Sequence, residues 1–447
     1  MFFRKLTFKG GVHPPEYKKF VFKKPIEVLP RPEQVILPVL QHNNAPAEPT
    51  VRVGDHVQIG DVVWQTPGNV SSFTHASVSG TVSAIENRPH PQGGHARAIV
   101  ITNDGADTLA PSIAPVHNYM AQDIAVMRGK IQQSGLAAVS DAVSSAAERR
   151  SQSPNKNALT FILNGIESEP FLTAGHRLLL ERPNEILEGV RILMKLSGCK
   201  TGYIALEKNK SDAIALMQRM IRESGDQVSI VRLNVKYPQS AEKQLIKAIT
   251  NRYVPSGGSP MDVGCLVFNV ATVKAVYDAV SSSKPLYERV ITVTGKGVSE
   301  PKNVLVRLGT PIQNLIDFCG GLTKDAAAVI HGGPMMGIAQ STLDVPVINA
   351  TSGIVVLTKK EVKIRTEGPC IRCARCVDTC PMNLMPNALA QLVKFDRLEE
   401  AHRMGLMDCI ECGACSFVCP ANIPHVLLFQ AGKRTAANIL NSNPKAA

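Results

Sequence analysis

No stretch of this chain reaches the roughly 18 consecutive apolar residues that a membrane-spanning helix needs, and the opening Met1-Phe-Phe-Arg-Lys-Leu-Thr-Phe-Lys9 lacks a signal-peptide core. The expectation is a protein that stays in the cytoplasm. Aromatic residues are scarce, at 5%, the Lys and Arg residues are scattered, and no recognisable nucleic-acid motif accompanies the net charge of +12. No nucleic acid is expected as a partner, which leaves an anionic membrane surface or an acidic protein. A charged fraction of 19% beside 44% hydrophobic residues argues against long disorder and against a fibrous chain. At 447 residues the chain exceeds one ordinary core, so roughly two to four domains are expected. Disulfides are not expected in a reducing cytoplasm. Eight of the 11 cysteines crowd between Cys370 and Cys419, a distribution that points to metal. Cys199, Cys265 and Cys319 stand alone and read as small buried apolar residues.

The fold class read from the pattern is multidomain, α/β plus β. Residues 1–115, rich in Val, Pro and Gly with short runs such as Val35-Ile-Leu-Pro38 and Ile99-Val-Ile-Thr102, form a β domain. Its half-repeats, Val51-Arg-Val-Gly-Asp55 with Val57-Gln-Ile-Gly-Asp61 and then His75 to Val82, resemble a biotinyl/lipoyl-type barrel-sandwich. No lysine lies between Arg52 and Arg97 to carry a prosthetic group, so the domain reads as docking or structural. Residues 116–280 read as a Rossmann-like α/β domain. A Ser- and Ala-rich stretch from Ser134 to Asn157 precedes the strand Leu159–Leu163, a helix that Asn184 caps and Gly198 ends, the strand Gly202–Leu206, a helix from Asp212 to Glu223, and the strand Val228–Arg232. Residues 281–350 return to short strands around one helix near Pro311–Phe318, a β-grasp-like module. The charged run Lys359–Arg365 is a linker into a ferredoxin domain at 360–435.

That last domain holds Cys370-x2-Cys373-x2-Cys376-x3-Cys380-Pro381 and Cys409-x2-Cys412-x2-Cys415-x3-Cys419-Pro420. Both follow the C-x2-C-x2-C-x3-C-P run of bacterial two-cluster ferredoxins, in which the fourth cysteine of each motif serves the other cluster. Two [4Fe–4S] clusters are therefore expected. One uses Cys370, Cys373, Cys376 and Cys419, and the other Cys409, Cys412, Cys415 and Cys380. Zinc also takes four thiolates, but its sites pair two C-x2-C knuckles and have no use for the further cysteines and prolines. Between the motifs, Leu389, Leu392, Val393, Leu398 and Ala401 recur at helical spacing over Asn387–Gly405, a helical insert.

With these motifs in place, the chain resembles the RnfC family, which belongs to the Rnf ion-translocating electron-transfer complex. The resemblance runs through Phe8-Lys-Gly-Gly-Val-His-Pro14, Gln41-His42, Asn164-Gly-Ile-Glu-Ser-Glu-Pro170, Lys236-Tyr-Pro238 with Ala241-Glu-Lys243, Val254-Pro-Ser-Gly-Gly258 and Gly332-Gly-Pro-Met-Met-Gly337. It implies a peripheral subunit on the cytoplasmic face of the inner membrane. Its partners would be the membrane subunits, the ferredoxin-like B subunit and a soluble carrier such as ferredoxin. The family also resembles the flavin-bearing subunit of respiratory complex I, so FMN and NADH sites would be implied, with Asn164, Glu167, Glu169 and Lys243 as the flavin-contacting residues. This chain departs from the family pattern where FMN would sit. In place of the glycine-rich loop it reads Gly135-Leu-Ala-Ala-Val-Ser-Asp-Ala-Val143, without the aromatic residue expected to stack on nicotinamide. Ser240 also replaces a glycine. Cβ atoms at Ala137–Ser140 would obstruct close approach of backbone N–H groups to a phosphate or ring. The expectation is electron relay by the two clusters without tightly bound FMN. The alternatives are a complete NADH:FMN oxidoreductase subunit of the same complex and a soluble reductase related to it.

Overall fold

The computed structural model describes residues 6–39, 47–66, 72–152, 159–362 and 366–442. Gln41 and His42, residues 153–158 of the Ser-rich stretch and residues 363–365 of the expected linker lie outside these residues. The N-terminal β domain consists of two sheets. Gln34–Pro38, His95–Asn103, Gly80–Pro89 and His56–Val57 form one in that order, and Glu48–Pro49, Val62–Gln65 and Phe73–His75 the other. Trp64, buried on the second sheet, donates its Nε1–H to the Leu37 carbonyl of the first at 2.9 Å, which satisfies the indole where the sheets meet.

The β-grasp-like module is a six-stranded mixed sheet, ordered Ile26–Val28, Lys302–Arg307, Glu288–Thr294, Gly353–Thr358, Ala326–His331 and Ile338–Ala339. Its edge strand comes from the N-terminal part of the chain and pairs parallel with Lys302–Arg307. The two modules expected at 1–115 and 281–350 share one hydrophobic core, in which Val35, Leu37, Trp64 and Ile99 pack with Ile291, Val293, Val304 and Leu315.

Between them in sequence lies a four-stranded parallel sheet, ordered Val228–Leu233, Thr201–Glu207, Thr160–Asn164 and Cys265–Asn269. Phe161, Ile162 and Leu163 are fully buried, as a continuous apolar run must be when helices cover both faces of a parallel sheet. The helices are α1 (Ile124–Gln133), α2 (Ala137–Gln152), α3 (Ala174–Glu181), α4 (Pro183–Ser197), α5 (Ser211–Ser224), α6 (Glu242–Thr250) and α7 (Val270–Ser282). Gly198 ends α4 in the left-handed conformation, as its position predicts. The start differs from the expected Asn184 cap. Arg182 is the cap residue and Pro183 takes the first helical position, where its fixed φ suits the helix and its missing N–H costs nothing.

After α8 (Ile312–Phe318), the C-terminal domain is built from α9 (Arg375–Thr379), α10 (Pro386–Lys394), α11 (Leu398–Arg403), α12 (Ala414–Val418) and α13 (His425–Ser442). The expected helical insert is present as two helices, separated where Asp396 takes a left-handed turn between α10 and α11. Leu389, Ala390, Ala401, Leu406 and Phe429 close a small core around them.

Candidate metal centre

The two cysteine motifs fold as copies of one another. Arg372, Ala374 and Asn383 in the first, and Glu411, Gly413 and Asn422 in the second, all have positive φ. Each left-handed residue turns the backbone sharply, so that a loop of a few residues wraps its cysteines around a centre. Two small cavities result. Cys370, Cys373, Cys376 and Cys419 line one, with Ile371, Ile423 and His425 in its wall. Cys380, Cys409, Cys412 and Cys415 line the other, with Leu384, Val426 and Phe429. Each cavity thus takes three cysteines from one motif and the fourth from the other. All the cysteines are free thiols, and no trio of His, Cys, Asp or Glu among the described residues converges as a single-ion site.

The donor chemistry fits an iron-sulfur cubane. Burial raises the pKa of Cys376, Cys380 and Cys409, pushes Cys412 up to about 12 and raises Cys415 as well, so an anionic sulfur in these places needs a cationic core beside it. Backbone donors already point at sulfur, with Leu384 N–H on Cys380 Sγ and Glu411 N–H on Cys409 Sγ, both at 3.4 Å. Lys433 hydrogen-bonds the Cys409 carbonyl and pairs with Glu411 at 2.8 Å.

The surroundings of the two cavities differ. The first opens to solvent, where Cys370, Cys373, Arg372 and Arg375 are exposed and Ile371 is 66% exposed. The second is enclosed by parts of the chain that no sequence motif assigns to it. Gly11 N–H donates to the Thr379 carbonyl at 2.8 Å, and a Cβ on Gly10, at φ +77°, would stand 2.7 Å from the Cys380 carbonyl. Tyr237, which is buried, donates its hydroxyl to the Cys412 carbonyl at 2.6 Å, while Gln244 Nε2 donates to the Pro381 carbonyl at 3.1 Å. A Cβ on Gly413 would meet the Met335 carbonyl at 2.7 Å. The strings Phe8–Pro14, Lys236–Pro238 and Gly332–Gly337 therefore converge on the inner cavity. The paired glycines of the first and third strings were the available signal, since a glycine pair marks a close backbone approach.

The four candidate flavin residues are all engaged within the protein. Asn164 Nδ2 donates to the Ser240 carbonyl at 2.9 Å. Glu167 accepts from Gly175 N–H at 2.8 Å and His176 N–H at 3.1 Å, capping the first turn of α3. Glu169 reaches across to the β-grasp module and accepts from Met335 N–H at 3.1 Å and Met336 N–H at 3.0 Å, with burial raising its pKa to about 7. Lys243 is half-buried, and its ammonium donates to the Pro255 carbonyl at 3.3 Å.

Comparison with known proteins matches the chain segment by segment. Family models match as an RnfC barrel sandwich hybrid domain over residues 6–106, a Nuo51 FMN-binding domain over 131–278, an SLBB domain over 290–339 and a 4Fe-4S dicluster domain over 362–420. The C subunit of the proton-translocating ferredoxin:NAD(+) oxidoreductase complex of Clostridium ljungdahlii is 43% identical over 395 residues, which cover 88% of this chain and 86% of that one. The chain belongs to the RnfC family. The sodium-translocating counterpart of Acetobacterium woodii is 40% identical over 90% of both chains, and the C subunit of the ion-translocating oxidoreductase complex of Rhodobacter capsulatus is 38% identical over 96% of this chain and 82% of its own. A chain of an NAD+-reducing [NiFe]-hydrogenase in the H2-reduced state shares the fold, with a TM-score of 0.52 at 14% identity over 73% of this chain and 65% of that one. No helix among the described residues is long and apolar enough to cross a membrane.

Within this RnfC fold, the residues present do not fit FMN. At the place of the family's glycine loop the chain passes from α1 into α2 in a tight turn. Leu136, Ala137, Val139 and Val143 are buried, and Leu136, Val139 and Val143 pack in the α/β core. Of the N–H groups that would cradle a phosphate, four are spent internally, with Gly135 bonding Gln132, Leu136 bonding Ile131, and Val139 and Ser140 both bonding Leu136. A Cβ on Gly135 would meet the Phe73 carbonyl at 2.8 Å, so the turn is also closed from the barrel side.

Proposed function

We propose that this chain is the peripheral electron-relay subunit of an Rnf-type ion-translocating oxidoreductase, with one [4Fe–4S] group held by Cys370, Cys373, Cys376 and Cys419 and a second by Cys409, Cys412, Cys415 and Cys380. The supporting observation is the pair of four-cysteine cavities of equal size, each completed by a cysteine from the opposite motif. When bound, such groups supply reversible one-electron chemistry. Tyr237, Gln244 and the Gly10–Gly11 segment exclude water from the inner site, and exposed Ile371, Arg372 and Arg375 present the outer one to a partner whose docking face is acidic. Anaerobically reconstituted protein should contain about eight iron and eight acid-labile sulfide per chain. A stable value near four, or stoichiometric zinc, would defeat the reading.

The relatives named as belonging to ferredoxin:NAD(+) oxidoreductase complexes support placing this chain beside membrane subunits and a ferredoxin-like B subunit, peripherally on the cytoplasmic face of the inner membrane, with a soluble carrier such as ferredoxin as electron donor. Cell fractionation tests this. The chain should pellet with membranes at low salt and come partly free as salt screens the contact. A chain that is wholly soluble while the membrane subunits are present would favour a free-standing reductase. The match of residues 131–278 to an FMN-binding domain supports a second reading, a complete NADH:FMN oxidoreductase subunit. The buried first turn of α2 weighs against it.

A further inference from the structure

The wall of the outer cavity contains a buried imidazole without a partner. His425 opens α13 directly after Ile423-Pro424 and is 1% exposed. Neither Nδ1 nor Nε2 makes a hydrogen bond among the described residues, and the ring packs tilted against Phe429 with centroids 6.0 Å apart. Asn387, in the same wall, also has an unpartnered side-chain oxygen, yet no hydrogen bond joins it to the ring. Burial lowers the His425 pKa, and the Ile423 carbonyl and Glu367 pull the other way by less. A buried imidazole carries at least one N–H in either protonation state, and such a donor is rarely left without an acceptor. The apolar members of that wall, Ile371, Ala374, Ala421 and Ile423, offer no side-chain acceptor, and the Ile423 carbonyl lies close enough to raise the ring's pKa but does not meet either ring nitrogen in hydrogen-bond geometry. What the cavity does offer is sulfur.

We propose that His425 donates a ring N–H to a sulfur of the [4Fe–4S] group held by Cys370, Cys373, Cys376 and Cys419, and thereby raises the midpoint potential of that group. The inference rests on the ligation proposed above. Reduction adds negative charge to the cubane, so a donor aimed at its sulfur stabilises the reduced state more than the oxidised one. The inner cavity has no side-chain counterpart among its described lining residues, and the donors to its sulfurs are the backbone N–H groups of Leu384 and Glu411. The next residue on the same helix, Val426, lines it instead, together with Phe429 and Ile410. One helical turn therefore gives the solvent-facing site a donor and the enclosed site a hydrocarbon wall. The side-chain donor thus shifts the two potentials in the sense that makes the exposed site the better electron acceptor. His425 acts through the group it touches and is a positioning residue for electron flow.

The test is an EPR-monitored redox titration of the reconstituted full chain at one fixed pH, comparing wild type, His425→Phe and His425→Gln. In His425→Phe one midpoint should fall while the other stays, and His425→Gln, which restores an N–H donor, should recover most of the difference. In the reduced wild type labelled with 15N-histidine, pulsed EPR should show a nitrogen coupling to one cluster. Unmoved midpoints in His425→Phe, or equal movement of both, would overturn the proposal. If His425→Phe assembles poorly, absence of the nitrogen coupling in wild type overturns it independently. An iron content below about eight per wild-type chain would instead mark failure of the ligation reading.

Discussion

Replacing Tyr237 with phenylalanine removes one hydroxyl from the shell of the inner cavity and leaves the ring in place. The hydroxyl is 2.6 Å from the Cys412 carbonyl, in a position where Tyr237 is 2% exposed, so water cannot substitute without opening the interface. A buried acceptor left without a donor costs about 1–3 kcal/mol, more than the net value of an ordinary hydrogen bond, because the carbonyl has already lost its hydration. That cost falls on the closed arrangement of the motif against the body of the protein. Local opening should become roughly 5- to 150-fold more populated. The assay is iron release to an excess of chelator under anaerobic conditions, run where opening limits the rate. Tyr237→Phe should lose about half its iron at the faster rate, from the site lined by Cys409, Cys412 and Cys415, while the other half follows the wild-type course. Release at the wild-type rate, or from the solvent-facing site alone, would refute the argument that this hydroxyl holds the inner site closed.

Cys380→Ala should perturb the EPR signal of the group served by Cys409, Cys412 and Cys415 and spare the other, whereas exclusive damage to the neighbours of Cys370 would contradict the crossed arrangement. The folded-state pKa of Glu169, about 7, lies above its ordinary 4.5, so the folded protein binds that proton more tightly and stability is full at low pH and declines as pH rises through about 7, by at most about 3 kcal/mol. Denaturation between about pH 5 and 8 should show a shallower decline in Glu169→Gln than in wild type. Glu207, also raised to about 7, contributes the same slope to both proteins, so identical slopes would rule out the role given to Glu169. Protein purified after expression with riboflavin should release little flavin and reduce dye slowly with NADH; one FMN per chain with rapid turnover would show that the turn into α2 opens in solution.

The cysteine spacing carried its structural meaning openly, because three closely spaced thiolates and a following proline dictate a local loop whatever surrounds them. The parallel strands were equally legible from runs such as Phe161–Leu163, whose uninterrupted apolar character has few other uses. The shell of the inner site was not. Gly10, Tyr237, Gln244 and Met335 are brought to Cys380, Cys412, Pro381 and Gly413 by tertiary structure alone, and nothing local to any of them names its partner. The helical state of Ala137–Gln152 was obscured by its serines, which favour turns and caps over helix interiors, and by a weak apolar stripe. The common core of the barrel and β-grasp modules was hidden for another reason. Alternating strand patterns reveal which residues face inward but not whose interior they share.

The contact between Gly11 and Thr379 bears on how the molecule is made. A ribosome adding roughly 5–20 residues per second needs on the order of 20–75 s to travel the roughly 370 residues from Gly10 to Cys380. The Phe8–Pro14 segment gains its first partner earlier, once Lys236 and Tyr237 are made, because Val12 and Tyr237 exchange backbone hydrogen bonds and Lys236 donates to the Phe8 carbonyl at 2.8 Å, and its contact with Thr379 comes last. In a molecule whose cysteine motifs have not yet folded, that segment would therefore rest on the α/β domain alone, with the bond from Gly11 to Thr379 still to form.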